Sequence, residues 1–499
     1  MEILNSLGEG FLACLTLTNM LACIFGVIVG TLTGILPGLG STSAMALLLP
    51  LSFGMDPTTA LIMLAGIYYG SMYGGSTTSI LVNVPGESSS VMTCLDGYQM
   101  AKRGRGGAAL AISATGSFIA GTIGIILLTM FAPPISQAAL AFGPPEYLAI
   151  SLLGLIIMVL LSGSLSKGFM MMLLGVVIGT IGLDPLTGVN RFTLGVGELS
   201  RGIDFVLVAM GVFGLGEVIS MLNEGKREIQ MEKIRMRDLY PTREEVRRSV
   251  PPILRGSVLG FLCGLIPGPA AVISTFLSYA VEKKCSRHPE EFGHGAVEGV
   301  AGPEAANNAA SSAAMVPLLS LGLPFAPPAA ILLSGFLVHG ITPGPSLITE
   351  HPAVFWGLVA SMYIGNVLLL VINLPFVGVL ASLLKTPKEY LVPLIIAITF
   401  VGALATNNSI FDVGVLILFG FVGFALREAD YPPAPLAIGI ILGPTIEQGL
   451  IQGLIMGDGN PAYFFMRPVS GIILTAAILL LIITLCKRFA ETRNERKAA

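Results

Sequence analysis

Apolar runs long enough to cross the roughly 30 Å of a bilayer's hydrocarbon, at about 20 residues each, recur along almost the whole chain. Lipid is therefore the solvent this chain folds in. Clear candidates are 11–36, 108–131, 147–161, 168–181, 205–222, 353–384, 391–404, 413–426 and 469–486. Others are short and interrupted: 253–266 halts at Pro267-Gly268 and resumes as 270–281, and the run before Pro37-Gly38 resumes as 43–51. The expectation is an all-α polytopic membrane protein with about ten to fourteen transmembrane or re-entrant helical segments. Composition agrees, with 54% hydrophobic residues, 11% charged and a mean hydropathy of +0.83. A water-soluble globule of this size lacks the interior to hide so much apolar surface. Soluble enzymes, disordered chains and collagen are excluded.

The net charge of −3, from 27 basic and 30 acidic side chains, offers no basic field for nucleic acid. The cysteines (Cys14, Cys23, Cys94, Cys263, Cys285, Cys486) are scattered, without C-x-x-C pairs. Nor do they lie at zinc spacing from His288, His294, His339 or His351, so they read as small apolar packing residues and no metal site is expected. The first basic residue is Lys102, and a cleaved signal peptide is not expected. One long polar stretch carries Lys226, Arg227, Lys233, Arg235, Arg237, Arg243, Arg247 and Arg248, which the positive-inside rule places in the cytoplasm. The tail, with Lys487, Arg488, Arg493, Arg496 and Lys497, votes for the same side. The chain thus divides into a first membrane repeat (1–222), a cytoplasmic basic linker (223–249), a second membrane repeat (250–486) and a cytoplasmic basic tail (487–499).

An internal repeat supports this division. Gly30-x-x-x-Gly34-Ile35-Leu36-Pro37-Gly38 matches Gly260-x-x-x-Gly264-Leu265-Ile266-Pro267-Gly268 at an offset of 230. In the same order, Pro145-Glu146-Tyr147-Leu148 answers Lys388-Glu389-Tyr390-Leu391, and Asp184-Pro185 answers Asp430-Tyr431-Pro432. Duplicated halves with helices interrupted in corresponding places mark a secondary transporter whose site lies near the midplane. An inverted relation of the halves is preferred over a parallel one.

Three stretches carry candidate chemistry. At Pro37-Gly38, followed by Ser41, Thr42 and Ser43, a helix must break. The next helix then offers a carboxylate its N-terminal dipole and hydroxyl donors. The plainer reading is a serine-capped turn. Ser76, Thr77 and Thr78, in a hydroxyl-rich run leading to Asn83, Pro85 and Gly86, suit a charged ligand that must be bound and then released. The alternative there is a tightly packed small-residue interface. In the second half, Glu304, Asn307, Asn308 and Ser311 precede Pro324, and such polar groups in an apolar segment are costly unless paired or used. Glu304 is a candidate for cation or proton coupling with the Pro-Gly breaks (Pro267-Gly268 included), although a capped helix start at the membrane surface is its plainer fate. Asn307 and Asn308 are candidates for donating to substrate oxygens. Asp56, Asp96, Asp184, Asp412 and Asp458 sit at run ends, where solvated caps are expected, and 406–409 reads as an interhelical turn. No phosphate-binding G-x-x-x-x-G-K-[ST] loop is present, so driving energy comes from an ion gradient or another subunit.

The run GILPGLGSTSAMALLLPLSFGMDPTTALIMLAGIYYGSMYGGSTTSILVNVPGE, then LDGYQMAKRGRGG, GLIPGP and AGPEAANNAASSAAMVPLLSLGLP, closely resembles the large membrane subunit of tripartite tricarboxylate transporters, the TctA family. The resemblance covers essentially the full length. It implies a bacterial inner-membrane permease, not an enzyme and with no cofactor. It also implies work with a small membrane subunit (TctB-like) and a periplasmic solute-binding protein (TctC-like), driven by Na+ or H+. Near Glu87 and Phe325 the sequence departs from the family pattern, which points to a different ligand at the second polar loop. The competing classes are an intramembrane enzyme, hinted at only by Asp458, and a passive anion channel.

Overall fold

The computed structural model describes residues 2–36, 39–184, 187–223, 236–376, 379 and 388–498. The chain is 81% helical. Among the described residues, 7 helices are long and apolar enough to cross a membrane, and shorter apolar helices accompany them. The all-α polytopic expectation holds.

In chain order the helices are α1 (Glu2–Cys14), α2 (Leu17–Ile35), α3 (Gly40–Leu48), α4 (Pro57–Val82), α5 (Val91–Met100) and α6 (Gly106–Ala139). Then come α7 (Pro144–Leu160), α8 (Leu165–Gly179), α9 (Phe205–Leu222), α10 (Arg243–Gly264), α11 (Ala270–Cys285), α12 (Glu298–Ala313) and α13 (Met315–Leu321). The chain closes with α14 (Pro327–Val338), α15 (Pro352–Asn373), α16 (Lys388–Asn407), α17 (Ile410–Glu428), α18 (Pro433–Met456) and α19 (Pro468–Ala498). The expected single run 11–36 is in fact divided between α1 and α2. Thr16 leaves the helical region (φ −59, ψ 147), and its hydroxyl bonds back to the Ala13 carbonyl at 3.0 Å. The turn at 406–409 is as read: Asn408 takes φ 53 and Asn407 donates to Asp412 at 2.9 Å.

Two compact units result, one from 1–137 with 206–425, the other from 138–205 with 426–499. Each draws on both sequence halves. In the smaller unit α8 crosses α18 where both are glycine: Gly175 and Gly179 lie against the carbonyls of Leu436 and Ile440, while Gly439 and Gly443 meet Met172 and Val176. Arg467 pairs with buried Glu146 at 2.6 Å, and Arg191 pairs with Glu447.

The larger unit is built around two helix pairs that repeat each other. Gly26, Gly30 and Gly34 of α2 press onto the carbonyls of Met63, Ile67 and Ser71 of α4. Gly256, Gly260 and Gly264 of α10 press likewise onto the carbonyls of Gly302, Ala306 and Ala310 of α12. A methyl group at any of these six glycines would collide with backbone, so only glycine permits such close approach. The partner carbonyls are related by a constant offset of 239 residues, so the duplication extends from sequence into packing. Aspartate 56 starts α4 by accepting from the Thr58 and Thr59 amides with Pro57 following it, and a Thr242/Glu245 capping box starts α10. Neither α4 nor α12 is among the apolar spans, yet every residue of α12 and nearly all of α4 beyond its first turn is buried. Polar helices therefore occupy the centre of this unit, where side-chain partners must satisfy them.

Candidate functional site

Both helix breaks expected from the sequence exist. The first lies between α2 and α3; Pro37 and Gly38 themselves fall outside the described residues. It docks on the loop that leaves α4, where exposed Asn83 ends the helix in a left-handed conformation (φ 58). Pro85 is half-buried there, and buried Gly86 wedges against the Gly34 carbonyl and Gly75. The second break lies between α10 and α11, with Pro267 and Gly268 both buried. Gly268, at φ 137, donates its N–H to the Phe325 carbonyl at 3.0 Å, in the loop leaving α13 that holds buried Pro324. Gly322 closes α13 at φ 72, as Asn83 closes α4 one repeat earlier. The halves also interlock crosswise: α3 packs on α14, and α11 packs on the Ser88–Ser90 turn and α5.

A carboxylate does sit at the N-terminus of α3, and it belongs to the chain. Glu87 accepts from the Ser41 N–H and from the Ser71 hydroxyl at 2.9 Å. Thr42 is half-buried, and Ser43 donates to the Phe213 carbonyl at 2.6 Å.

Glu304 departs from its plainer reading. It lies within α12, 1% exposed, and is no surface cap. Three hydroxyls converge on it, Ser76 (2.5 Å), Ser113 (3.1 Å) and Thr93. Among the described residues no lysine, arginine or histidine pairs with it. Asn308, one turn on, donates to Ser117 at 2.7 Å and to the Glu304 carbonyl at 3.1 Å. Asn307 is fully buried, and neither of its amide atoms has a hydrogen-bond partner. Ser311 turns back to the Asn307 carbonyl, and Thr78 to the Gly75 carbonyl, each at 3.0 Å. Thr77 is buried beside Ser76. The structure thus gathers Ser76, Glu304, Asn307 and Asn308 centrally, sets Ser41 against Glu87, and gives Asn83 a turn to close.

Several expectations are corrected. Asp96 is fully buried, accepting three backbone N–H groups (Gly293, Gly295, Ala296; 2.7–2.8 Å) and the Tyr279 hydroxyl at 2.9 Å. Its partners lie 183 to 200 residues further along the sequence, so run-end position could not reveal this. Asp412 and Asp184 are buried too, whereas Asp56 is an exposed cap as read. Cys285 and Cys486 are exposed and do not serve packing, unlike buried Cys14, Cys23 and Cys94. Thr93, Ser113 and Ser117 gave no sequence signal, being single hydroxyls among apolar or small residues. Asn366 and Asn373 did: two amides spaced seven apart in an otherwise apolar helix are costly unless used. Asn366 accepts from Tyr73 at 2.8 Å.

Near the start of α10, a cleft of about 360 Å³ brings Arg103, Arg105 and Arg248 among Glu244, Glu245 and Glu291. In its wall Arg105 pairs with Glu245 and Arg248 with Glu291, and Arg248 also pairs with Glu298. Burial pushes the Glu245 carboxyl up, but the Arg105 fork and Thr242 outweigh it and hold the group below its ordinary value.

Buried polar groups between two repeated pairs of glycine-packed, broken helices define a polytopic membrane protein with the plan of secondary transporters. Residues 20–438 match the tripartite tricarboxylate transporter TctA family, and the chain belongs to it as a transporter component. The chain is 45% identical over 497 residues to an uncharacterized 52.8 kDa protein in the TAR-I ttuC' 3'region of Agrobacterium vitis, covering 99% of each. It is 42% identical over 236 residues to an uncharacterized protein in the TAR-II ttuC' 3'region of the same organism, covering 47% of this chain and 98% of that one. No solved structure matches the chain.

Proposed function

We propose that the chain is the large permease subunit of a binding-protein-dependent secondary transporter of the bacterial inner membrane. It imports di- or tricarboxylates of citrate type by cation symport and alternating access, with a small membrane subunit and a periplasmic solute-binding protein as partners. The observation that carries the reading is Asn307. An amide with both atoms buried and unpaired costs about 1–3 kcal/mol for each unsatisfied group. The Nδ2 share of that penalty is relieved if a substrate carboxylate accepts from it. Asn308 and Ser311 follow on the same helix, and Ser76 of α4 reaches it through Glu304; Thr77 and Thr78 complete the hydroxyl-rich run of α4.

The elbow at α3 supplies the second half of the argument. Its first N–H groups, with Ser41, Thr42 and Ser43, suit a carboxylate, and Glu87 holds one there until the substrate's carboxyl takes its place. Glu304, buried without a cation, is the coupling group, and the Pro85-Gly86, Pro267-Gly268 and Pro324 breaks let the flanking helices move. Labelled di- and tricarboxylates should accumulate in vesicles carrying all three components under a Na+ or H+ gradient, and Asn307→Ala should abolish accumulation at normal membrane expression. Absence of gradient-dependent uptake across the panel defeats the reading. Conductance without saturation would favour a passive channel instead.

A further inference from the structure

Beside Glu304 lies a small recess of about 10 Å³, room for a single water-sized sphere. Its polar wall is Tyr73, Ser76 and Thr77 from α4, Ser113 from α6 and Asn373 from the end of α15. Ser76 and Ser113 also donate to one oxygen of Glu304, so the recess and the carboxylate share two hydroxyls. Asn373 is 7% exposed and spends its Nδ2 on the Leu369 carbonyl at 2.9 Å, while its Oδ1 is buried without a partner. Tyr73 donates its proton to Asn366, leaving its oxygen lone pairs free to serve as ligands.

We propose that this recess is a sodium site, with Glu304 supplying the charge and Ser76, Ser113, Tyr73 and Asn373 Oδ1 the neutral oxygens. The inference rests on the ion-coupled reading above and names both the ion and where it binds. An uncompensated carboxylate in lipid-embedded protein calls for a positive charge, and a proton on Glu304 would supply one. A proton leaves Asn373 Oδ1 as it was, whereas a hard monovalent cation satisfies both through oxygen ligands alone. No cluster of three or more histidine, cysteine or acidic groups occurs among the described residues, so a transition metal has no comparable seat.

The test is thermal unfolding of the purified full-length chain titrated with NaCl, KCl or choline chloride at constant ionic strength. Na+ should raise the midpoint above choline, and K+ should not. Asn373→Val should require at least about tenfold more Na+ for the same shift, with an unchanged or higher midpoint in choline because an unpaired buried acceptor is gone. Ser113→Ala should show the same weakening if Asn373→Val folds poorly. Equal midpoints in Na+ and choline, an equal response to K+, or wild-type titrations in both variants would overturn the site. Carboxylate uptake driven by a pH gradient without any Na+ shift would leave the permease reading standing and remove the sodium site. A Na+ shift without uptake of any carboxylate would do the reverse.

Discussion

Glu87 and Glu304 share α4 as a neighbour yet face opposite tasks. Glu87 is held by a helix N-terminus, the most favourable place for a negative charge that a helix offers. Replacing it by Gln keeps the shape and removes the charge, weakening its hold on Ser41 N–H. Glu87→Gln should therefore lower the KM for carboxylate uptake severalfold, measured in vesicles with all three components; an unchanged or higher KM shows that Glu87 does not compete for the substrate's seat. Glu304 was legible as an oddity, an acid amid alanines, but its depth was not. A carboxylate's burial depends on who surrounds it, and Ser76, Thr93 and Ser113 come from positions 191 to 228 residues away in sequence. Asp96 teaches the same lesson from the opposite direction: it resembles a solvated cap and proves to be the anchor of 293–296.

Helix pairing is where the sequence speaks most clearly. Glycines spaced four apart on α2 and α10 announce a face of close approach, and the structure places carbonyl oxygens of α4 and α12 against each of them. Adding a valine side chain there must push backbones apart, a strain of about 1–3 kcal/mol or more. Gly30→Val and Gly260→Val should each lower the unfolding midpoint by a similar amount, while Gly8→Ala, with nothing within 4 Å, should not. If only one of the pair destabilises, the two contacts are not energetic equivalents. The split between α1 and α2 was not legible, because the apolar run continues across Thr16 without proline or glycine to mark the turn.

For the whole molecule, charge predicts sidedness. Tyr240, 76% exposed within the basic linker, should react as Tyr240→Cys with a membrane-impermeant maleimide only after the inner membrane is permeabilised, in a background lacking the exposed Cys285 and Cys486. Labelling in intact spheroplasts would place the linker outside. Sequence alone determined that the chain is helical and lipid-solvated, that its halves repeat, and that each half breaks at a Pro-Gly elbow. These are properties of local hydrophobicity, backbone stereochemistry and motif spacing, all written within a few turns of helix. Only the tertiary structure decided that the helices regroup into two compact units across the halves, that Glu87 fills the α3 elbow, and that the hydroxyls holding Glu304 line one recess with Asn373. Those outcomes arise from packing between residues hundreds of positions apart, where the cost of leaving polar atoms unpaired in a dry interior selects the partners.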